Sequence, residues 1–316
     1  MMQKPLVGIS TCLMGENVRY DGGHKLDRYL RDTLGQYVDF VPVCPEVECG
    51  LGVPREAIRL VETDGAIRLM TRKTGIDLTD QMVAWSARRL DELAGLPLCG
   101  YVFKSKSPSS GLYRIKIYQD GGGVKNNGTG IFAGLFVKRF PLVPVEEEGR
   151  LNDPQLRENF IERLFVMQRW RLLNRERKTV GRLVGFHAAH KYLLMAHCPQ
   201  ALKKLGALVA EGKKHPAGKL YDLYIEALMP ALARIPTPRK NTNVLLHIMG
   251  YFKQALESDE KAELKEIIDR YHQGLVPLVV PLTLINHYVR KHGPEYLKDQ
   301  VYLNPHPMEL MLRNRV

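Results

Sequence analysis

The pattern of apolar residues changes character near residue 150, and that change limits the fold more than any other feature of the chain. Before it, short β-branched runs alternate with stretches of helical period. Leu6 to Ser10, Val38 to Val43, Tyr101 to Phe103 and Tyr113 to Tyr118 read as strands, and Ile58 to Thr63 against Ala66 to Met70 reads as a hairpin turning at Asp64-Gly65. Between them, His24 to Thr33 and Asp80 to Ala94 have helical spacing, the latter with Met82, Val83, Trp85, Leu90 and Leu93. Such alternation predicts an α/β domain, a mainly parallel, three-layer, Rossmann-like sheet covered on both faces. Gly121 to Gly128 is expected to be a mobile loop ahead of a short helix near Gly130 to Lys138.

Beyond residue 150 the pattern is almost wholly helical. Asp153-Pro154 supplies an N-cap followed by proline at the first helical position. Leu156 to Leu173 repeats Phe160, Leu164, Met167 and Trp170 on one face, and further helices are expected over 178–197, 199–212, 217–233, 241–257, 261–274, 281–292 and near Met308. Phe140 to Gly149, with two prolines and an acidic run, is the expected linker. A chain of 316 residues is long for a single core, so the expected division is an α/β domain over 1–145 and an all-helical domain over 146–316.

Charge follows the same division. Residues 1–150 hold 20 basic and 18 acidic side chains, whereas residues 151–316 hold 26 and 16, so nearly all of the net +12 lies in the helical half. This asymmetry predicts a polyanion-binding module joined to a more neutral one. Arg169, Arg171, Arg175, Arg177 and Lys178 cluster at one helix junction and are the candidate RNA-binding residues. His187, His190 and His197 share a helix without an acidic neighbour in sequence, which favours satisfied or RNA-facing histidines over metal ligands. The first residues lack an apolar leader and the cysteines are few, so a reducing cytoplasm is expected. Leu275 to Ile285 is broken by two prolines and is too short for a membrane span.

Three of the five cysteines follow apolar strands: Cys12 after the first, Cys44 and Cys49 after the second. Ligands of open α/β sheets bind outside the carboxyl ends of the strands, so these thiols and the loop Lys104 to Gly111 are expected at one cleft. Cysteine-only sites hold zinc or iron-sulfur clusters. The paired Cys-x-x-Cys knuckles of structural zinc are missing from the sequence. Cys99 begins its strand, roughly 17 Å from the cleft at about 3.3 Å per residue, and Cys198 is alone in the helical half. Three thiolates at one edge leave a four-iron cluster with one open iron, the arrangement for binding a substrate atom.

Cys12-Leu13-Met14-Gly15-Glu16-Asn17-Val18-Arg19-Tyr20-Asp21-Gly22, Pro42-Val43-Cys44-Pro45-Glu46-Val47 and Lys104-Ser105-Lys106-Ser107-Pro108-Ser109-Ser110-Gly111 together resemble the thiouracil desulfidase family. The second half, through Glu148 to Asp153 and Asn241 to Gly250, resembles the helical domain fused to some members, similar to bacterial desulfidases that convert 4-thiouridine in tRNA to uridine. The resemblance implies a 4Fe-4S cluster on three cysteines, whose open iron takes a thiocarbonyl sulfur while water replaces it without net redox change. The family's serine loop usually ends Ser-Pro-Ser-Cys-Gly and that cysteine is a ligand, whereas this chain has Ser110 there and an extra thiol at Cys49. The implied ligands are therefore Cys12, Cys44 and Cys49. Glu46, two residues after a ligand, is the expected general base, the alternative being a carboxylate that caps the turn or pairs Arg55; Ser107 or Ser105 orients the water, with Ser107 favoured because Pro108 fixes its loop, and Asn17, Arg19, Tyr20 and Lys104 hold the pyrimidine or a phosphate. The expected function is an iron-sulfur-dependent desulfidase acting on 4-thiouridine, in tRNA or free. The alternative is a non-catalytic RNA-binding protein with a structural or redox-sensing cluster.

Overall fold

A computed structural model of the chain describes residues 3–119 and 121–314. Two compact units divide between Asp153 and Pro154. The first is built on a four-stranded sheet in the order β2 (Asp39–Val43), β1 (Leu6–Ser10), β5 (Leu98–Phe103), β8 (Val145–Glu147), all parallel. Ser10 lies beside Val43 and Ile9 beside Val102, so the carboxyl ends of the central strands finish level with one another. Val7, Ile9, Tyr101, Val102 and Phe103 are fully buried. The helices α2 (Thr79–Ala94) and α3 (Ile131–Arg139) bring Trp85, Phe132 and Phe136 into the core. There Tyr101 stacks on Phe103 with ring centroids 4.0 Å apart and meets Phe136 at 4.7 Å. Gly8 leaves room for that ring, since a Cβ on it would lie 2.2 Å from Tyr101 Cδ2.

The remaining strands form a second sheet rather than extending the first. Its order is β4 (Ala66–Thr71), β3 (Ile58–Thr63), β6 (Ile115–Gln119), β7 (Val124–Gly128). The expected hairpin is present as β3 and β4, antiparallel, while β3 pairs β6 in parallel and β6 pairs β7 antiparallel. Two expectations are corrected here. Residues 124–128 are an edge strand and not a mobile loop, because backbone pairing to β6 does not need apolar side chains. The stretch 140–149 is not a linker: Val145–Glu147 is the fourth strand of the parallel sheet, which places 146–153 with the first unit and its end eight residues past the expected 145. Glu146 and Glu147 are buried there because Arg150 donates to Glu146 Oε1 at 2.8 Å, and the Leu112 and Tyr113 amides donate to Glu147 Oε1 at 2.8 and 3.2 Å. The expected first helix shrinks to turns over 29–36.

The second unit is built of helices and has no strand among its described residues: α4 (Pro154–Arg175), α5 (Val180–His197), α6 (Pro199–Ala210), α7 (Ala217–Leu232), α8 (Pro238–Met249), α9 (Ser258–His272), α10 (Val279–His292) and the short α11 (Glu295–Lys298), after which the chain is mostly turns. Trp170 packs edge-on to Phe186 and stacks with Tyr224, fixing α4 against α5 and α7. A buried ionic group lies at its centre. Arg313 donates to Glu162 Oε1 at 2.6 Å and to Glu158 Oε1 at 3.0 Å, and His197 Nε2 lies 3.2 Å from Glu162 Oε2. The acidic partner of His197 thus comes from another helix, 35 residues upstream, where sequence proximity did not show it. Among the described residues, no helix is long and apolar enough to cross a membrane.

Candidate active site

All four strands of the parallel sheet end on the same edge, and each delivers a polar segment there. β1 runs into a tight turn, Thr11–Met14, that carries Cys12. β2 ends at Cys44, which caps the four-residue α1 (Pro45–Glu48); Pro45 is its first residue, and the Cys44 amide donates to Glu48 Oε1 at 2.8 Å. β5 leads into the serine loop, and the Lys104 amide ties that loop to β1 by donating to Ser10 Oγ at 2.9 Å. β8 ends beside Glu148, whose carboxylate accepts from the Ser105 amide at 2.7 Å and Ser105 Oγ at 2.8 Å and pairs with Lys104.

These segments enclose a cavity of about 420 Å³. Of the residues proposed from sequence, it is lined by Cys12, Cys44, Glu46, Ser105, Ser107, Arg19, Tyr20 and Lys104, together with Ser110. Glu46 is its centre. Arg55 donates to Glu46 Oε2 at 2.9 Å; on the other oxygen, Ser109 donates at 2.5 Å and Ser107 at 3.3 Å. Cys44 Sγ lies 3.8 Å from Glu46 Oε2. Burial, with Glu46 adding to it, pushes the Cys12 thiol up to about 11 and the Cys44 thiol to about 12. Deprotonating both beside a carboxylate therefore calls for a positively charged group between them.

The structure places three of the residues proposed from sequence away from the carboxylate at the cavity's centre or from its wall. Asn17 is exposed and does not line the cavity. Cys49 does not line it either: it closes α1, packs against the apolar core, and donates through Sγ to the Glu46 carbonyl at 3.3 Å. Ser105 is engaged by Glu148, so the serines on Glu46 are Ser107 and Ser109. Ser109 and Glu148 were not anticipated. Ser109 belongs to the same serine run as Ser107, and Glu148 was hidden in an acidic run that reads as linker.

The serine loop is fixed by backbone bonds. Gly130, Ile131 and Ala133 at the start of α3 donate to the carbonyls of Gly111, Pro108 and Ser109 at 2.7, 3.1 and 3.1 Å. A Cβ at Gly130 would lie 2.5 Å from the Ser109 carbonyl, so no other residue permits this approach without displacement.

A family model described as 2-thiouracil desulfurase matches residues 7–148, which contain every residue of the cavity wall. Over its first unit the chain belongs to the 2-thiouracil desulfurase family. A second model, described as a protein of unknown function (DUF1722), matches residues 191–307 within the helical unit. The uncharacterized protein YbgA of Escherichia coli (strain K12) is 31% identical over 153 residues, covering 48% of this chain and 90% of that protein. The uncharacterized protein YbbK of Bacillus subtilis (strain 168) is 27% identical over 157 residues, covering 47% of this chain and 99% of that protein. A solved structure of a 4Fe-4S-dependent thiouracil desulfidase, TudS, is 30% identical and covers 48% of this chain and 94% of that one, with a TM-score of 0.38.

The proposed RNA-binding residues are not alike. Arg175 and Arg177 are exposed, Arg171 is half-buried, and Lys178 lies over the Tyr221 ring at 5.5 Å. Arg169 departs from expectation. Its Nη2 donates to the Asn304 carbonyl at 3.4 Å, its Nη1 is enclosed without a partner, and burial pulls its guanidinium down to about 10. It faces the interior because α4 is covered on more than one side.

Proposed function

We propose that the protein is a 4Fe-4S-dependent desulfidase that exchanges the sulfur of a thiolated uracil for oxygen, with 4-thiouridine, in tRNA or free, as the substrate. The observation that carries this reading is the convergence of two thiols, half-buried Cys12 and buried Cys44, one carboxylate and the serine loop on a single cavity inside the desulfurase region. The donors suit an iron-sulfur group, being soft thiols in a site where their ionised forms need compensation. Cys12 and Cys44 are two holders, and Cys49 is the third we propose, because Cys99 is buried in β5 and Cys198 is buried within the core of the helical unit. To take that role the Cys49 thiol turns from the Glu46 carbonyl to the cavity. The chemistry such a group supplies is Lewis-acid polarisation of a thiocarbonyl sulfur.

The rest falls to the chain itself. The exchange forms a bond from a water oxygen to the ring carbon and breaks the carbon–sulfur bond; no electrons change hands, one of the water's two protons leaves on the sulfur as hydrosulfide, and the other passes to a general base. Glu46 takes that proton. Ser107 and Ser109, both on Glu46 Oε1, hold the water against the ring. Arg55 fixes the second carboxylate oxygen and so sets the direction of the first. Arg19 and Tyr20 form one side of the cavity and contact the pyrimidine. Lys104, tied to Glu148, holds the loop.

The test is anaerobic purification with iron and sulfide counts, followed by hydrosulfide release from 4-thiouridine. A cluster-replete protein that releases none leaves the non-catalytic RNA-binding alternative in its place. The helical unit is the proposed tRNA-binding module. Neutralising Arg171, Arg175, Arg177 and Lys178 should weaken tRNA binding and flatten its salt dependence, by about 0.7 to 0.9 in log-log slope for each phosphate no longer neutralised. Filter binding across a salt series checks this. An unchanged slope removes these side chains from the interface.

A further inference from the structure

A second groove of about 320 Å³ adjoins the cysteine cavity, and the two share Ile58, Lys106 and Pro108. The charged side chains along it are Arg59, Lys106, Arg114 and Lys116, all cationic. Their convergence follows from the second sheet. β3 and β6 run in parallel with Leu60 beside Ile117, and Leu60, Ile115 and Ile117 are buried on the inner face, so Arg59, Lys116 and Tyr118 project from the outer one.

Two further features separate this groove from an ordinary solvated basic face. Lys106 and Arg114 have φ of 60° and 54°, a left-handed backbone that side chains rarely adopt, and both are thereby set at the groove. The Arg59 guanidinium lies over the Tyr118 ring at 5.2 Å, with its Nε enclosed and unpartnered. Neighbouring cations are neutralised, Lys104 by Glu148 and Lys125 by Glu62. Among the described residues, none of the four groove cations has a carboxylate within ion-pair distance. Four like charges held together at the mouth of a catalytic cavity await an anion.

We propose that this groove takes the phosphodiester backbone of an RNA strand whose thiolated base enters the cysteine cavity, an inference that rests on the desulfidase reading above. Continuity of the two spaces places backbone beside base, and charge complementarity selects phosphate. The catalytic unit then contributes to RNA recognition itself, although its net charge is close to zero.

The test uses the full chain and three probes: 4-thiouridine, its 5′-monophosphate, and a trinucleotide with a central 4-thiouridine. Their dissociation constants are measured across a salt series for the wild type, for Arg114→Glu with Lys116→Glu, and for Lys116→Glu alone, which avoids the left-handed position should the double variant misfold. Trinucleotide affinity relative to 4-thiouridine is expected to fall at least tenfold in the double variant, with a log-log salt slope shallower by about 0.7 for each phosphate no longer neutralised. An unchanged trinucleotide affinity and slope overturns the proposal. An equal loss for the monophosphate overturns it too, since the occupant is then a free nucleotide. If the trinucleotide effect appears while loaded wild-type protein releases no hydrosulfide, the groove stands and the desulfidase reading falls.

Discussion

Cys49→Ala should give a folded protein whose iron and acid-labile sulfide fall to background after anaerobic purification, while Cys99→Ala and Ser110→Ala keep theirs. The reason is a shortage of thiols. A four-iron cluster with one open iron takes three cysteines, and two line the cavity. Cys99 is 2% exposed within β5, and Cys198 is 4% exposed within the helical unit, so both thiols are enclosed by their own cores. Cys49 is half-buried at the end of α1, bonded to the carbonyl of the residue whose side chain centres the site. Its rival is the Ser110 hydroxyl, which already lines the cavity. If Ser110→Ala loses the iron and Cys49→Ala retains it, the hydroxyl is the third donor and the assignment of Cys49 is wrong.

Glu46→Gln should retain the cluster and lose turnover by about 10² to 10⁴, the usual worth of a positioned acid-base group. The substitution keeps shape and the possibility of accepting from Ser109, and removes the capacity to take a proton from water. It also leaves Arg55 facing a neutral amide, so thermal stability is measured alongside hydrosulfide release to separate folding from chemistry. Ser107→Ala should show a smaller loss, because Ser109 remains on the same carboxylate oxygen at 2.5 Å. Wild-type turnover in a folded, cluster-replete Glu46→Gln protein would remove the carboxylate from the mechanism.

Much of the first unit could be read from residues 6–10, 39–43 and 98–103, where apolar runs mark buried parallel strands and the polar segments that follow them must reach the sheet edge. Cys12, Cys44, Glu46 and the serine loop were legible for that reason. The facing of Cys49 was not. Five positions along a helix turn a side chain by about 140°, so two thiols at the ends of α1 do not share a face even though both follow one strand. The second sheet was hidden by its long-range pairing of β3 with β6, and Val124 to Gly128, with its Lys-Asn-Asn, has the composition of a turn. Arg169 misled because a charge count treats every arginine as solvated, whereas this one is enclosed on a helix covered on several sides.

The clamp between α3 and the serine loop consists of backbone bonds from Gly130, Ile131 and Ala133, and none of them involves the side chain at position 110. The inner wall of the cavity is therefore a socket whose shape is independent of the plug it carries. Serine or cysteine can occupy position 110 over the same main-chain path, because the bonds that hold the path come from the backbone of Gly130, Ile131 and Ala133. A substitution such as Ser110→Cys therefore changes the donor that faces the cavity and leaves the wall behind it in place.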